Sequence, residues 1–279
     1  MFQYAAGRAL SLDRGVQLRL DVSDFAGYGL HQGFELSRVF SCRVDLAEPE
    51  DVYAVLGWQS SKRVRRIVAR PELRFLRSPR FVVEPHFHHW PEISYAPQDC
   101  YLFGYWQSEK YFQTHAAEIR ADFAFKPPLT NRNSELVGQI AQVNAVSLHV
   151  RRGDYVSNSK THATHGVCSL DYYRDAIRHI SDRVERPYFF IFSDNMAWVK
   201  GNLKMDMPHQ YIDHNKGAES YNDMRLMSLC RHHIIANSSF SWWGAWLNPN
   251  PDKIVVAPRR WFANDTNVAD LFPAAWVIL

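Results

Sequence analysis

The chain is poor in several features, and each shortage closes off a class of protein. Its 279 residues hold only four cysteines, Cys42, Cys100, Cys168 and Cys230, far apart and without a CxxC pair. Reduced, buried thiols in a cytosolic setting are therefore expected rather than a disulfide framework. No apolar run approaches the roughly 18 residues that a membrane span needs. Met1–Leu12 is too short for a secretory leader and contains Gln3 and Arg8, so a soluble chain without a leader is expected. The net charge of +3 supplies no overall field for nucleic acid. There is no GxxxxGK[ST] loop, no GxSxG elbow and no Cys–His signature, which removes support for kinase, ATPase and covalent hydrolase chemistry. No two aspartates lie two apart, so a DxD metal clamp is missing. His86, His88 and His89 cluster without a cysteine or HExxH partner at zinc spacing and read as loop histidines.

What is present is an ordinary globular composition, 46% apolar and 22% charged, enough for one large domain or two of usual size. One local bias stands out. Lys62 to Arg80 carries eight basic residues against a single acid, Glu72. Such a run is either a solvated helix face or a grip for phosphate-rich surfaces and anionic lipid.

The first half reads as a helix over residues 1–12, a strand over 16–20 ending at Asp21, and a Gly-containing loop at 25–33 whose GxGxxxG spacing is no dinucleotide fingerprint. Helix and loop follow to residue 80. A strand-like aromatic stretch runs from Tyr101 to Gln107, and a helix capped by Ser108 is expected to run to about Asp122. Pro127, Pro128, Thr130, Asn131 and Asn133 make the best linker, dividing the chain into domains at 1–128 and 129–279.

The second half alternates. Strands are expected at 145–150, 188–192, 210–212, 233–236 and 253–257. Helices are expected near 134–143, 170–180 (capped by Ser169), 196–203, 220–230 and 239–247. Short links between alternating strands and helices indicate a parallel sheet covered on both faces. Ligands then lie at the carboxyl ends of the strands, and three of those ends are polar.

The first end is His149-Val-Arg-Arg-Gly-Asp154, where Arg151 and Arg152 offer planar donor forks that suit a phosphate. Asp154 either orients an arginine or faces the substrate. The second is Phe192-Ser193-Asp194-Asn195. The third is Asn237-Ser238-Ser239-Phe240-Ser241-Trp242, small hydroxyl residues that open a helix whose free N–H groups favour an anion. One such residue is an ordinary cap; four together facing two arginines point to a diphosphate. Asp223, at the start of another helix, is either dipole-stabilised surface or an acceptor for the paired N–H donors of a guanine ring.

These blocks, His149-Val-Arg-Arg-Gly-Asp-Tyr155 and Asn237-Ser-Ser-Phe-Ser-Trp-Trp-Gly-Ala-Trp246, resemble those of the bacterial and animal α1,2-fucosyltransferases. The likeness extends through MFQYAAGR at 1–8, FGYWQSEKYF at 103–112, FSDNMAW at 192–198 and YNDMRLMSLC at 221–230. The resemblance implies a GT-B-type enzyme of two Rossmann-like domains with a cleft between them, GDP-fucose in the second domain, and no metal or other cofactor. It also implies that Arg151 binds the diphosphate, His149 and Asp223 contact the guanine, and Ser238, Ser239 and Ser241 lie on the phosphates. Family chains begin with a strand and a GGLGNQ loop before MFQYA, so the first strand and Gly-rich loop are expected to be missing here.

The implied reaction is inverting transfer of L-fucose from GDP-β-L-fucose to the 2-hydroxyl of a terminal galactose of a surface glycan such as O-antigen. The base is Asp154 or an acid of the first domain such as Asp21. Tyr105 and Trp106 either stack on acceptor sugars or pack in the core. Another GDP-sugar transferase and a catalytically silent nucleotide- or glycan-binding protein are the competing readings. The expected location is cytoplasmic, with weak association to the inner membrane face through Lys62–Arg80 and no nucleic-acid partner.

Overall fold

In a computed structural model, residues 1–25, 33–129, 131–153 and 163–279 are described. The chain divides into two compact units, Met1–Lys126 with Asn267–Pro273, and Pro127–Thr266 with Ala274–Leu279.

The first unit opens on the helix Phe2–Arg14, which buries Phe2, Tyr4, Ala5, Ala6 and Ala9. Gly15 ends it at φ 62, its N–H bonded to the Leu12 carbonyl and the Val16 N–H to that of Ser11, a left-handed cap that glycine adopts without steric cost. The alternation expected over 16–20 is visible, with Val16, Leu18 and Leu20 half-buried and Gln17 and Arg19 exposed. Yet it pairs only through an isolated bridge from Leu20 to Leu46, so no strand forms there. Alternation sets which side chains turn inward; a strand also needs a neighbour to bond along its length.

Two short strands, β1 (Phe81–Val83) and β2 (Tyr101–Phe103), pair in parallel, and Val52, Leu56, Val68 and Phe81 form the core beneath them. The helices Pro49–Leu56 and Lys62–Val68 and the 3₁₀ turns Gly57–Ser60 and Pro71–Leu76 fill the stretch before β1. The helix expected from Ser108 to Asp122 is broken. Ser108 caps a 3₁₀ turn, Glu109–Tyr111, and the helix proper is Ala116–Asp122. The fully buried Phe112 leaves helical geometry at φ −144 between them.

The second unit is a parallel sheet. Strands β3 (Asn144–Val150), β4 (Pro187–Ser193), β5 (His209–Ile212), β6 (His232–Ile234), β7 (Val255–Ala257) and β8 (Val277–Ile278) lie in the order β5-β4-β3-β6-β7-β8. The period of two along β3 builds two cores. Val146, Leu148 and Val150 meet Tyr172, Tyr173, Ala176 and Ile180 of the helix Leu170–Ser181. Ala145, on the other face, joins Leu136 and Ile140 of Asn131–Gln142 and Leu226 and Met227 of Tyr221–Leu229. Both sides are therefore covered, which is why β3 and β4 bury nearly every residue.

His233 is buried in β6 and held by the Ser147 hydroxyl at 2.8 Å from Nδ1 and the Asn248 amide at 2.9 Å from Nε2. The amide donates to Nε2, so the ring proton lies on Nδ1 and points at Ser147. All four cysteines are free thiols, with Cys42 and Cys230 buried. Among the described residues no helix is long and apolar enough to cross a membrane.

Candidate functional site

Strand register assembles the site. Val150 of β3 lies opposite Ser193 of β4, and Leu148 lies opposite Ile234 of β6. One residue past the first pair stand Arg151 and Asp194, and past the end of β6 the chain runs through Ile235 and Ala236 to Asn237. Asp154, expected from the sequence either to orient one of the two arginines or to face the substrate, lies outside the described residues. Asp194 is the partner observed. Its Oδ2 stands 3.2 Å from Arg151 Nη1, and its Oδ1 accepts the Arg152 backbone N–H at 2.9 Å. Gly153 permits this approach, since a Cβ there would stand 2.6 Å from Asp194 Oδ2.

Arg152 is used differently: its guanidinium lies 3.8 Å over the ring of Trp198, a cation–π contact that steadies the side chain. Ser193 accepts the Asn195 N–H through its hydroxyl, and Asn195 caps the helix Met196–Asn202 by accepting from Trp198. Of the FSDN end, then, Ser193 and Asn195 shape the loop while Asp194 braces Arg151.

His149 lies beside this pair on the sheet face that carries Phe240, ring centroids 5.8 Å apart. Burial, reinforced by the nearby Arg151 and opposed by Asp194, lowers its imidazole to about 4. The ring is neutral at ordinary pH, and its Nδ1 is buried with no hydrogen-bond partner among the described residues.

The third strand end opens the helix Ser239–Leu247. Ser238 is its N-cap residue but makes no side-chain cap bond, whereas Ser169 and Asn195 cap their helices in the usual way. The first-turn N–H groups, which have no intrahelical acceptor, thus lack a cap from that side chain. Ser239 is exposed and Phe240 half-buried. Ser241 is buried, its hydroxyl donating to the Ser238 carbonyl at 3.3 Å.

Two residues grouped with this turn in the sequence belong to the scaffold. Asn237 donates to the His165 and Trp261 carbonyls at 2.9 and 3.3 Å and accepts from the Cys168 thiol at 3.4 Å. Trp242 is fully buried among Trp243, Trp246 and Trp276. One turn of helix carries the chain from the exposed Ser239 into the core.

Asp223 lies in the first turn of Tyr221–Leu229. Burial pushes its carboxyl up to about 7, a bond from Asn215 Nδ2 at 2.8 Å opposing. Asn215 in turn exchanges bonds with the buried Asn133, which also meets His214 Nε2 at 2.8 Å. This amide network was missed from the sequence, because residues 133 and 215 look like loop punctuation until the fold brings them together. The helix of Asp223 packs on the helix of Ser239, where Gly244 lets Met227 close in: a Cβ at 244 would stand 3.0 Å from Met227 Cβ.

The residues singled out in the first unit are placed separately. Asp21 is enclosed, accepting from Arg65 at 2.8 Å, the Tyr101 hydroxyl at 2.7 Å and the Ser23 N–H at 2.9 Å. Trp106 is buried at φ 57 against Tyr111. Tyr105 beside it is exposed, and the turn that presents it is fixed by Glu84, whose carboxylate accepts the Tyr105 and Trp106 N–H groups at 2.7 and 3.0 Å.

A parallel α/β sheet with a braced arginine, a neutral buried histidine and a helix start at its strand ends offers chemistry that suits an anionic group there. Comparison gives the family. The profile of glycosyl transferase family 11 matches residues 87–279. The chain is 37% identical to an alpha-1,2-colitosyltransferase of Escherichia coli over 99% of its own length and 93% of that protein. It is 34% identical to the O-antigen biosynthesis glycosyltransferase WbnK of Escherichia coli, over 100% and 96%. Similarity to the human galactoside alpha-(1,2)-fucosyltransferase 1 is 27% over 59% of this chain and 48% of that one. The fold is like that of the alpha-1,6-fucosyltransferase NodZ in crystals soaked with GDP-fucose, with a TM-score of 0.53 over 89% of this chain, 88% of that one, and 16% identity. The chain belongs to glycosyl transferase family 11 and is a glycosyltransferase.

Proposed function

We propose that the second unit holds a GDP-sugar and that the chain is a GT-B-type, inverting glycosyltransferase that moves L-fucose from GDP-β-L-fucose to the 2-hydroxyl of a terminal galactose. One observation supports the reading: β3, β4 and β6 lie side by side in parallel, so that Arg151 with its Asp194 brace, the His149 Nδ1 without a hydrogen-bond partner among the described residues, and the start of Ser239–Leu247 that Ser238 leaves without a side-chain cap bond follow the same end of the sheet.

In this reading the diphosphate lies on Arg151 and on the N–H groups and hydroxyl of the 238–241 turn. The acceptor oxygen attacks the anomeric carbon opposite the leaving group. The bond from that carbon to the β-phosphate oxygen breaks, GDP leaves with the electron pair, and the acceptor proton passes to a base. Charge grows on the diphosphate as the sugar becomes oxocarbenium-like, so fixed donors there lower the barrier. His149 contacts the guanine without adding charge, and the Asp223 carboxylate accepts its paired N–H groups. Asp154 is the proposed base. Asp21 is not, since its oxygens are already engaged by Arg65, Tyr101 and Ser23. Exposed Tyr105, aimed by Glu84, is the proposed stacking surface for the acceptor. No residue in the scheme requires a metal.

A second donor has its own support in the 37% identity to an alpha-1,2-colitosyltransferase. Colitose is L-fucose without its 3-hydroxyl, and one lost hydroxyl changes only the sugar end of the donor, leaving the diphosphate and guanine contacts the same. Purified enzyme given GDP-fucose or GDP-colitose with a panel of galactosides, in EDTA, separates the two. A 2-linked fucosyl product supports the first donor and a colitosyl product the second. Tight GDP binding with no transfer to any galactoside would make the chain a silent binder and overturn the proposal. The basic run Lys62–Arg80 and the surface-glycan relative support action at the cytoplasmic face of a membrane.

A further inference from the structure

Between Pro49 and Arg80 the first unit turns several apolar side chains outward after its own core is already filled. Val52, Leu56, Val68 and Phe81 make that core, yet Trp58 is 62% exposed and Phe75 76%, with Ile67 and Leu76 also exposed. Apolar groups gathered in this way mark contact surfaces more than chance.

The helix Lys62–Val68 explains half of the patch. Arg65 and Val68 point inward and are buried, while Arg63, Arg66 and Ile67, at i, i+3 and i+4, share the outer face, and Arg70 follows just past the helix end, exposed. Two side chains hold the rest against it. Arg77 donates to the carbonyls of Val68, Ala69 and Arg70 at 2.7, 2.7 and 3.0 Å. The buried Gln59 donates to the Leu76 carbonyl at 2.8 Å and accepts the Ser78 N–H at 3.1 Å. Trp58, next to Gln59, and Phe75–Leu76 are thereby fixed on one frame.

The basic run now sorts itself. Arg65 and Arg77 serve the interior, and Lys62 and Arg66 meet Asp24. Arg63, Arg70 and Arg74 are exposed and form no ion pair among the described residues, and Glu72 is the sole acid from 62 to 80.

We propose that this face docks the enzyme on an anionic phospholipid bilayer, with Trp58, Phe75, Ile67 and Leu76 entering the headgroup boundary and Arg63, Arg70 and Arg74 on lipid phosphates. Aromatic and aliphatic groups ringed by arginines suit an interface that is apolar below and negative above. A nucleic acid would use the arginines but leave Ile67 and Leu76 without a role. The inference sharpens the membrane association proposed above and is independent of the donor chemistry.

The test is flotation of the whole chain with vesicles of phosphatidylcholine, or of phosphatidylcholine with phosphatidylglycerol, alongside a single-stranded RNA of equal charge. Retention on the anionic vesicles alone is expected. Arg70→Glu with Arg74→Glu should lower it by more than tenfold, since each arginine is worth about fivefold at such a surface. Phe75→Ser, at a position too exposed to disturb the core, should lower it severalfold without changing the melting temperature. Equal retention on neutral vesicles, none on either, or RNA binding that matches the vesicles and ignores Phe75→Ser would each overturn the proposal. GDP titration of the same samples reads the donor site separately, so failure of one reading is distinguishable from failure of the other.

Discussion

Two arginine–aspartate pairs, one in each unit, use the same chemistry to different ends. Arg65 and Asp21 are nearly closed to solvent, 6% and 11% exposed. Tyr101 and Ser23 take up the carboxylate's other positions, and the guanidinium lies 4.9 Å over the Tyr101 ring. Arg151 and Asp194 are 23% and 25% exposed, at a strand end beside a buried imidazole whose Nδ1 has no partner among the described residues. The first pair is a fastening: its groups are satisfied by protein. The second is a support that holds one charge at the edge where a ligand can meet it. Burial and the number of protein partners separate the two pairs, where distance alone does not.

The sharpest way to break the contrast is through Arg65. Arg65→Ala strands a buried carboxylate, and unfolding in urea should show a loss of about 3–5 kcal/mol, with GDP affinity of the remaining folded protein unchanged. Arg151→Ala should do the reverse, with melting nearly as in the wild type and kcat lower by about 10²–10³. If it kept wild-type turnover, the diphosphate would lie elsewhere. Asp194→Asn retains an acceptor for the Arg152 N–H but removes the charge facing Arg151. A fall in kcat of about tenfold, ~1.4 kcal/mol, is expected, seen in steady-state assays and partly mimicked by Gly153→Ala, which crowds the same oxygen.

Asp223 gives an effect that is visible only as a pH signature. Its folded carboxyl holds a proton up to about 7, well above the value of an unfolded aspartate. Folding therefore gains from proton binding in acid and loses that gain as pH rises toward 7. Asp223→Asn should erase this slope and add on the order of 2 kcal/mol of stability at alkaline pH. In the wild type, GDP affinity should fall as pH drops below about 7, because a protonated carboxyl accepts less well from two N–H groups. Calorimetric titration across that range checks both.

The second unit was readable from its residues because a buried parallel strand declares itself as a short apolar run, and Ser169 marks the helix start it caps. The two-residue β8 is too short to declare anything. In the first unit, alternation at 16–20 and the cap at Ser108 were correctly seen but lacked a ladder partner and a continuous helix. At the site, Arg151, His149 and the 238–241 turn were evident as residue types. The partnership of Arg151 with Asp194 was not, since register joins positions 43 apart in sequence and nothing local records it. For the same reason nothing local joins Asn215 to Asn133, or shows that the Asn237 and Trp242 side chains, adjacent in sequence to the hydroxyl turn, are held by the scaffold.

The missing side chain at Gly244 has a further consequence. With nothing there but hydrogen, the helix bearing Asp223 and the helix bearing Ser239 touch along Met227 and behave as one piece. In the proposed donor site, where one helix meets the base and the other the diphosphate, that contact would act as a gauge. It would set the span of nucleotide the protein accepts, so a bulkier residue at this position would lengthen the gauge and penalise every donor alike, whatever sugar it carries.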